Sequence, residues 1–155
     1  MAGSNGPGST QPTSTGPAEA MEILDEPTCW ELMASAEVGR LAVAAAGDID
    51  IFPVNFVLDG RSVVFRTAEG TKLVELVMAG RVAFEADGSD TERELAWSVV
   101  VKGDARLLDH FDDIYRAQAL PLESWSGTPK ERFVRIEPIR VTGRRFPIAS
   151  RRGRA

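Results

Sequence analysis

The feature that most constrains the fold of this chain is a run of short β-rich segments separated by turn-forming residues. Residues 38–43, 49–57 and 62–67 are rich in Val, Ile and Phe. The first two segments are separated by residues 46–48 (Ala-Gly-Asp), and the next two by Asp59-Gly60. Asp-Gly between apolar runs is a strong hairpin signal, and Gly with Asp favours tight turns. The pattern therefore predicts three consecutive antiparallel strands.

The rest of the chain adds strands and short helices to this meander. Apolar residues recur at helical spacing from Leu73 to Gly80, which predicts a helix between strands. Further predicted elements are a strand at residues 82–86, a polar loop at 87–94, a long strand at 97–108 bent at Gly103, a helix at 111–120 and a last strand at 133–143. Six strands with few helices predict a mainly β fold, a small six-stranded antiparallel barrel whose closure removes exposed edges.

Length and composition favour one folded domain. The chain has 155 residues, of which 43% are hydrophobic, enough for a single core. Residues 1–20 are mostly Gly, Ser, Thr, Pro and Ala, and such a segment has too little apolar surface to offset the entropy of ordering. We expect a disordered segment at 1–20, a domain at 21–147 that opens with a helix after Asp25, and a basic tail at 148–155.

Several classes of function are disfavoured by composition. The formal charge of −5 argues against nucleic-acid binding by the domain,. No apolar run approaches the ~20 residues of a membrane-spanning helix, and the first residues lack a secretory signal pattern, so we expect a cytoplasmic protein with no membrane association. The single cysteine, Cys29, is expected to be a small packed side chain rather than a metal ligand or redox thiol.

One group of residues between a strand end and a helix start has the chemistry of an anion site: Arg66, Thr67, Gly70, Thr71 and Lys72. Arg offers a planar fork to phosphate oxygens and Lys offers a point charge, while the start of a helix presents unpaired N–H groups. The residues alone leave a second interpretation equally open. In it, the group is a solvent-facing strand end, and Lys72 pairs with Glu69 or Glu75.

The residues and the order of several motifs resemble those of the flavin-binding split β-barrel family related to pyridoxamine 5′-phosphate oxidase. The motifs are Val-Gly-Arg-Leu at 38–41, Phe-Pro-Val-Asn-Phe-Val at 52–57, the segment 64–72, Gly103 within its long strand, and the ending at 136–146. The ending is similar to that of small actinobacterial members. The resemblance spans residues 25–146 and implies a split barrel of the FMN-binding type.

The resemblance also implies a site. The second strand of such proteins runs along the flavin ring, which corresponds here to Pro53, Val54, Asn55 and Phe56. The phosphate position corresponds to Arg66, Thr67 and Lys72. Members are usually homodimers with cofactor sites at the interface, so Trp97, Ser98 and Val99 are expected to approach the ring from the partner subunit. The C-terminal arginines, with Arg144 among them, are expected to close the same site.

The leading functional hypothesis is therefore an FMN-dependent oxidoreductase with a small-molecule substrate. One alternative is a reductase that uses 8-hydroxy-5-deazaflavin, which a basic groove from Lys72 towards Arg144 and Arg145 would favour. The other is a protein that binds flavin, haem or a fatty acid without catalysis. The chain lacks the C-terminal Arg-Trp segment of true pyridoxamine phosphate oxidases, so oxidation of vitamin B6 is not expected.

Overall fold

A computed structural model describes residues 21–68, 72–78, 80–123 and 132–148. In these ranges the chain forms seven strands and three helices. In chain order they are β1 (Glu22–Leu24), α1 (Glu26–Ala34), β2 (Val38–Ala45), β3 (Asp48–Asp59), β4 (Ser62–Thr67), α2 (Lys72–Val77), β5 (Arg81–Asp90), β6 (Leu95–Leu107), α3 (Phe111–Gln118) and β7 (Arg132–Pro147). The termini at 1–20 and 149–155, for which disorder and a basic tail were predicted, lie outside the described residues.

The sheet closes into an antiparallel barrel. Its strand order is β1-β7-β4-β3-β2-β5-β6, and β6 also pairs with β7. The ring β2-β3-β4-β7-β6-β5 therefore has six strands, as predicted. The seventh strand, β1, was not predicted. It is three residues long and pairs with the end of β7, where Ile23 faces Arg144, and so short a segment carries no readable periodicity.

The predicted meander is confirmed, and one predicted loop is wrong. Gly47 and Gly60 adopt the positive φ values of 82° and 59° that the two hairpin turns require,. The polar residues 87–90, which were predicted to belong to a loop, instead extend β5 as far as Asp90, opposite Leu95 of β6. Partner strand β6 supplies their backbone hydrogen bonds, and outward-facing polar side chains are tolerated there.

The bend predicted at Gly103 is confirmed as a bulge between β6 and β7. Lys102 pairs with Arg140, whereas Gly103 pairs with Pro138, so Ile139 is the extra residue and belongs to β7. A proline at a bulge leaves no ladder N–H group unpaired. A Cβ atom on Gly103 would overlap the carbonyl oxygen of Glu137, and the close approach of the two backbones therefore requires glycine.

Two apolar clusters hold the fold. The larger one fills the barrel and includes Leu41, Phe65, Phe84, Val99 and Ile136. The smaller one lies on the outer side of β4 and β7, where Ala117 of α3 packs with Val64, Leu108 and Phe133. No helix in the described ranges is long and apolar enough to cross a membrane.

Helix α1 packs against the barrel through Cys29, Trp30 and Met33. Its start is capped as the sequence indicates, with the Asp25 carboxylate accepting the Thr28 N–H at 2.9 Å,. Cys29 is fully buried against Gly143. Burial raises the pKa of its thiol, and Asp25 and Glu26 raise it further. The thiol therefore stays protonated and behaves as a packed side chain, as predicted.

Candidate functional site

The strand predicted to run along a flavin ring presents alternate residues to the two sides of the barrel wall. Val54 and Phe56 are buried in the barrel core, whereas Pro53 is exposed and Asn55 is half-buried on the outer face. Ile49 and Ile51 share that outer face by the same alternation. Two of the four predicted ring residues thus offer side chains to a ligand outside the barrel.

A concavity of about 360 Å³ opens beside this strand. It is lined by Asn55 and Phe56, by the end of α1 at Met33 and Ala34, and by the segment after α3, including Glu123. A pocket of this size lies within the range of small-molecule and cofactor sites. The outer face of β3 therefore borders a space that a planar ligand could enter.

The predicted phosphate residues on β4 lie at its last two positions. Thr67 is 4% exposed, and its side chain faces inward. Arg66 lies on the outer face and is half-buried, with its guanidinium carbon 5.1 Å from the centre of the Phe133 ring. This distance is within the range of a cation–π contact, which holds the guanidinium on the same outer surface as Asn55.

Lys72 is held against β3 by an ion pair that the sequence interpretation missed. Its ammonium lies 2.9 Å from Oδ2 and 3.0 Å from Oδ1 of Asp50, so a β3 carboxylate, and not Glu75, is its partner. Glu69, Gly70 and Thr71 lie outside the described residues. The hydrogen bond from Lys72 to Asp50, reinforced by the charge of Asp50, raises the pKa of the ammonium, which keeps its positive charge.

This ion pair joins the two halves of the predicted cofactor segment. Asp50 lies three residues before Pro53 on β3, and Lys72 is the first residue of α2. The start of α2 therefore lies against β3, three residues before the predicted ring residues, and alternation puts Asp50 on the opposite face of the strand from Pro53 and Asn55. Helix α2 has six residues, fewer than two turns, so the cationic side chains rather than the helix terminus supply the positive field.

The predicted residues on β6 and β7 form a second, separate group. Trp97 and Val99 face the barrel interior, and the Trp97 indole packs over Gly88. Ser98 is half-buried on the outer face and pairs with exposed Arg144 of β7. Trp97 thus offers its backbone, not its indole, to the outer surface, and the assignment of this group to a cofactor stays a prediction.

Within one chain the two groups lie on opposite sides of the barrel. In the closed ring β6 is three strands from β3 in either direction. Arg145, the neighbour of Arg144, pairs with Glu22 at 2.8 Å. The described residues of a single chain therefore form no continuous basic groove from Lys72 to these arginines.

A charged cluster on the outer face between the two groups was also missed. Arg40 of β2 lies 2.8 Å from the Asp87 carboxylate and 3.3 Å from that of Glu85. Desolvation and the charge of Asp87 raise the pKa of Glu85 above its usual value. Arg40 and Glu85 are forty-five positions apart in the chain. The strand register, which places Arg40 opposite both Pro53 and Glu85, is needed to reveal this cluster.

The outer face also carries an exposed apolar patch that sequence analysis did not identify. Ile49 and Ile51 on β3 are 70% and 66% exposed. Small side chains surround them: Ala42 pairs with both Ile51 and Ala83. This patch, defined by Ile49, Ile51, Ala42, Ala44 and Ala83, borders a shallow concavity of about 310 Å³ and continues directly to Pro53.

Comparison with known proteins gives consistent results. The family model described as pyridoxamine 5′-phosphate oxidase matches residues 25–145. An uncharacterised protein of Mycobacterium tuberculosis is 36% identical over 151 residues, which cover 94% of this chain and 97% of that protein. The structure of an FAD-binding protein from Mycobacterium smegmatis has a TM-score of 0.71 and 43% identity, covering 81% of this chain and 97% of its own. An FAD-binding protein from Mesorhizobium loti has a TM-score of 0.70 and 25% identity, covering 81% and 96%.

Proposed function

This chain belongs to the pyridoxamine 5′-phosphate oxidase-like family, and from that membership we propose that it binds a flavin nucleotide and acts as a flavin-dependent oxidoreductase on a small molecule. The observation that carries the proposal is the Lys72–Asp50 contact. It holds a cationic side chain against the strand that the family resemblance assigns to the flavin ring. A protonated lysine at the start of α2 and the Arg66 guanidinium at the end of β4 have the charge that a flavin phosphate needs.

The ring is proposed to lie along the outer face of β3, beside Pro53 and Asn55 and next to the concavity of about 360 Å³. The phosphate would extend towards Arg66, Thr67 and Lys72. A bound flavin supplies the hydride and electron chemistry. The contribution of the chain is then to orient the ring against β3, to neutralise the phosphate and to exclude water from the ring face.

We further propose that two copies of the chain complete each site. Ser98 and Arg144 lie on the far side of the barrel from β3, so only a second copy can bring them to the same ligand. The patch of Ile49, Ile51, Ala42, Ala44 and Ala83 is the surface proposed to be buried between the copies, because it is apolar, exposed and continuous with the ring strand,.

FMN is the leading cofactor, and FAD is the second candidate because two related structures are of FAD-binding proteins. A basic groove from Lys72 to Arg144 and Arg145 would favour the deazaflavin alternative. Lys72 is paired with Asp50 and Arg145 with Glu22, on different sides of the barrel. The observation that would favour a deazaflavin is therefore missing from the described part of the chain.

Flavin titrations of purified protein test the proposal. We expect a yellow protein, or an increase in melting temperature when FMN or FAD is added. Lys72→Ala and Arg66→Ala should each weaken FMN binding by about tenfold, because a charge-assisted contact to phosphate is lost, and should leave riboflavin binding unchanged. The matched control is Arg61→Ala, since Arg61 is an exposed residue that pairs with Glu26 at 3.3 Å.

Three outcomes would contradict the proposal or part of it. Absence of binding of riboflavin, FMN and FAD would exclude a flavin site. Equal losses of FMN and riboflavin affinity in the Lys72 and Arg66 variants would remove the phosphate assignment. Tight binding without turnover by nicotinamide donors, quinones or nitroaromatics would favour a binding protein over an oxidoreductase.

A further inference from the structure

The Lys72–Asp50 pair places a negative charge at the position proposed to hold the cofactor phosphate. The Asp50 side chain is 30% exposed and the Lys72 side chain is 63% exposed. The carboxylate therefore lies deeper, beneath the ammonium that a phosphate would approach. A phosphate that binds Lys72 must share this lysine with Asp50.

The geometry of an ammonium group sets how close the two anions come. Lys72 has three N–H donors, so it can donate to Asp50 and to a phosphate oxygen at once. Two acceptors about 3 Å from one tetrahedral nitrogen are roughly 5 Å apart. At this separation, repulsion between the carboxylate and the phosphate opposes the attraction of both for Lys72.

The repulsion depends on the charge of the phosphate. A terminal phosphate monoester, as in FMN, carries a charge of about −1.5 to −2 at neutral pH. In a flavin dinucleotide an anhydride oxygen joins the two phosphate groups, so each carries a single negative charge and only one of them contacts Lys72; riboflavin has no phosphate. We propose that Asp50 is a selectivity residue, which lowers the affinity of Lys72 for a terminal phosphate monoester more than for a singly charged phosphate group of a flavin dinucleotide, and so allows FAD to compete with FMN for the site. This inference rests on the proposed flavin site.

Asp48 provides a matched control for Asp50. It lies two residues earlier on β3 and its carboxylate contributes to the field at Lys72. Its Oδ1 atom accepts the Ile49 N–H at 3.0 Å, so its direct hydrogen bond is within the turn. Asp48→Asn removes the same charge as Asp50→Asn, and asparagine can still accept that turn hydrogen bond.

The experiment measures dissociation constants of riboflavin, FMN and FAD by quenching of flavin fluorescence, for the wild-type protein, Asp50→Asn and Asp48→Asn. We expect Asp50→Asn to tighten FMN binding by about three- to tenfold, FAD binding by less than that, and riboflavin binding not at all. The gain for FMN should shrink at about 0.5 M salt, because the charges are partly exposed. Asp48→Asn should change all three constants by less than about twofold.

Other outcomes overturn the inference. If Asp50→Asn weakens FMN binding, Asp50 only positions Lys72. If it changes FMN and riboflavin affinity equally, or changes neither, Asp50 has no selective role, while the proposed flavin site stands because riboflavin still binds. If the wild-type protein binds none of the three ligands, the flavin site itself is wrong and the inference fails with it. Asp50→Ser, a second neutral variant, replaces Asp50→Asn if the latter does not fold.

Discussion

The two groups of predicted site residues are built in different ways. The group on β3, β4 and α2 is held by exposed polar contacts, chiefly the ion pair between Lys72 and Asp50. The group on β6 and β7 lies on the most extensively paired strands, where Gly103 and Gly143 allow close backbone and side-chain approach. Exposed ion pairs contribute little to stability, whereas tight packing contributes much. Substitutions in the first group should therefore affect binding, and substitutions at the close-packed glycines beside the second group should affect folding.

The largest effect is expected at the β6–β7 bulge. Gly103→Ala would place a Cβ against the Glu137 carbonyl, with the carbonyl carbon only 2.9 Å away. Because these neighbours are backbone atoms, relief requires the strands to separate, and the free energy of unfolding should fall by about 2–3 kcal/mol. Chemical denaturation of Gly103→Ala and the wild-type protein measures this difference.

Lys102→Ala is the control, because Lys102 precedes the bulge on the same strand and is exposed. Its free energy of unfolding should stay within about 0.5 kcal/mol of wild type. A Gly103→Ala protein as stable as Lys102→Ala would show that β6 and β7 are loosely packed at the bulge, and the contrast between the two groups would disappear.

A smaller effect on folding, with a large effect on assembly, is expected at the apolar patch. Ile51 is 66% exposed in the single chain, so Ile51→Asp should change the stability of the chain by about 0.5 kcal/mol or less. If the patch is buried between two copies, the aspartate leaves an unpaired charge in that interface. We expect a shift from dimer to monomer in analytical ultracentrifugation, together with a loss of flavin affinity.

Tyr115→Asp is the matched control, because Tyr115 is 67% exposed and lies on α3, which covers the outer side of β4 and β7 and contributes no residue to the patch. It should keep both the dimer and flavin binding. A wild-type protein that is monomeric at the concentrations where it binds flavin would contradict the proposed role of the patch.

The sequence predicts the fold well because its signals are local. The hairpin turns at Gly47 and Gly60, the Asp25 cap and the Gly103 bend all depend on neighbouring residues or on one backbone position. The site is only partly predictable. Lys72 lies near Glu69 and Glu75 in the chain, but its partner Asp50 is twenty-two residues away and becomes a neighbour only when the start of α2 folds against β3.

The apolar patch and the Arg40 cluster were missed for a related reason. Ile49 and Ile51 are typical strand residues, and alternation alone does not say which side of the strand faces the core. The side is settled by Val54 and Phe56, which fill the barrel and turn the isoleucines outward.

Ser98 and Arg144 were expected near the ring from family resemblance, and their place opposite β3 follows only from the closed strand order.

Mixing two defective variants tests most directly whether each flavin site is made by two chains. Lys72→Ala impairs the β3 group, and Ser98→Glu places a bulky charge in the β6 group, so each homodimer should bind FMN poorly. After subunit exchange in an equal mixture, each mixed dimer has one site built from two intact groups, and about a quarter of all sites should recover wild-type affinity for a two-fold dimer. Recovery of that fraction in an FMN titration is the predicted result. Exchange without recovery of tight FMN binding would contradict the two-chain site.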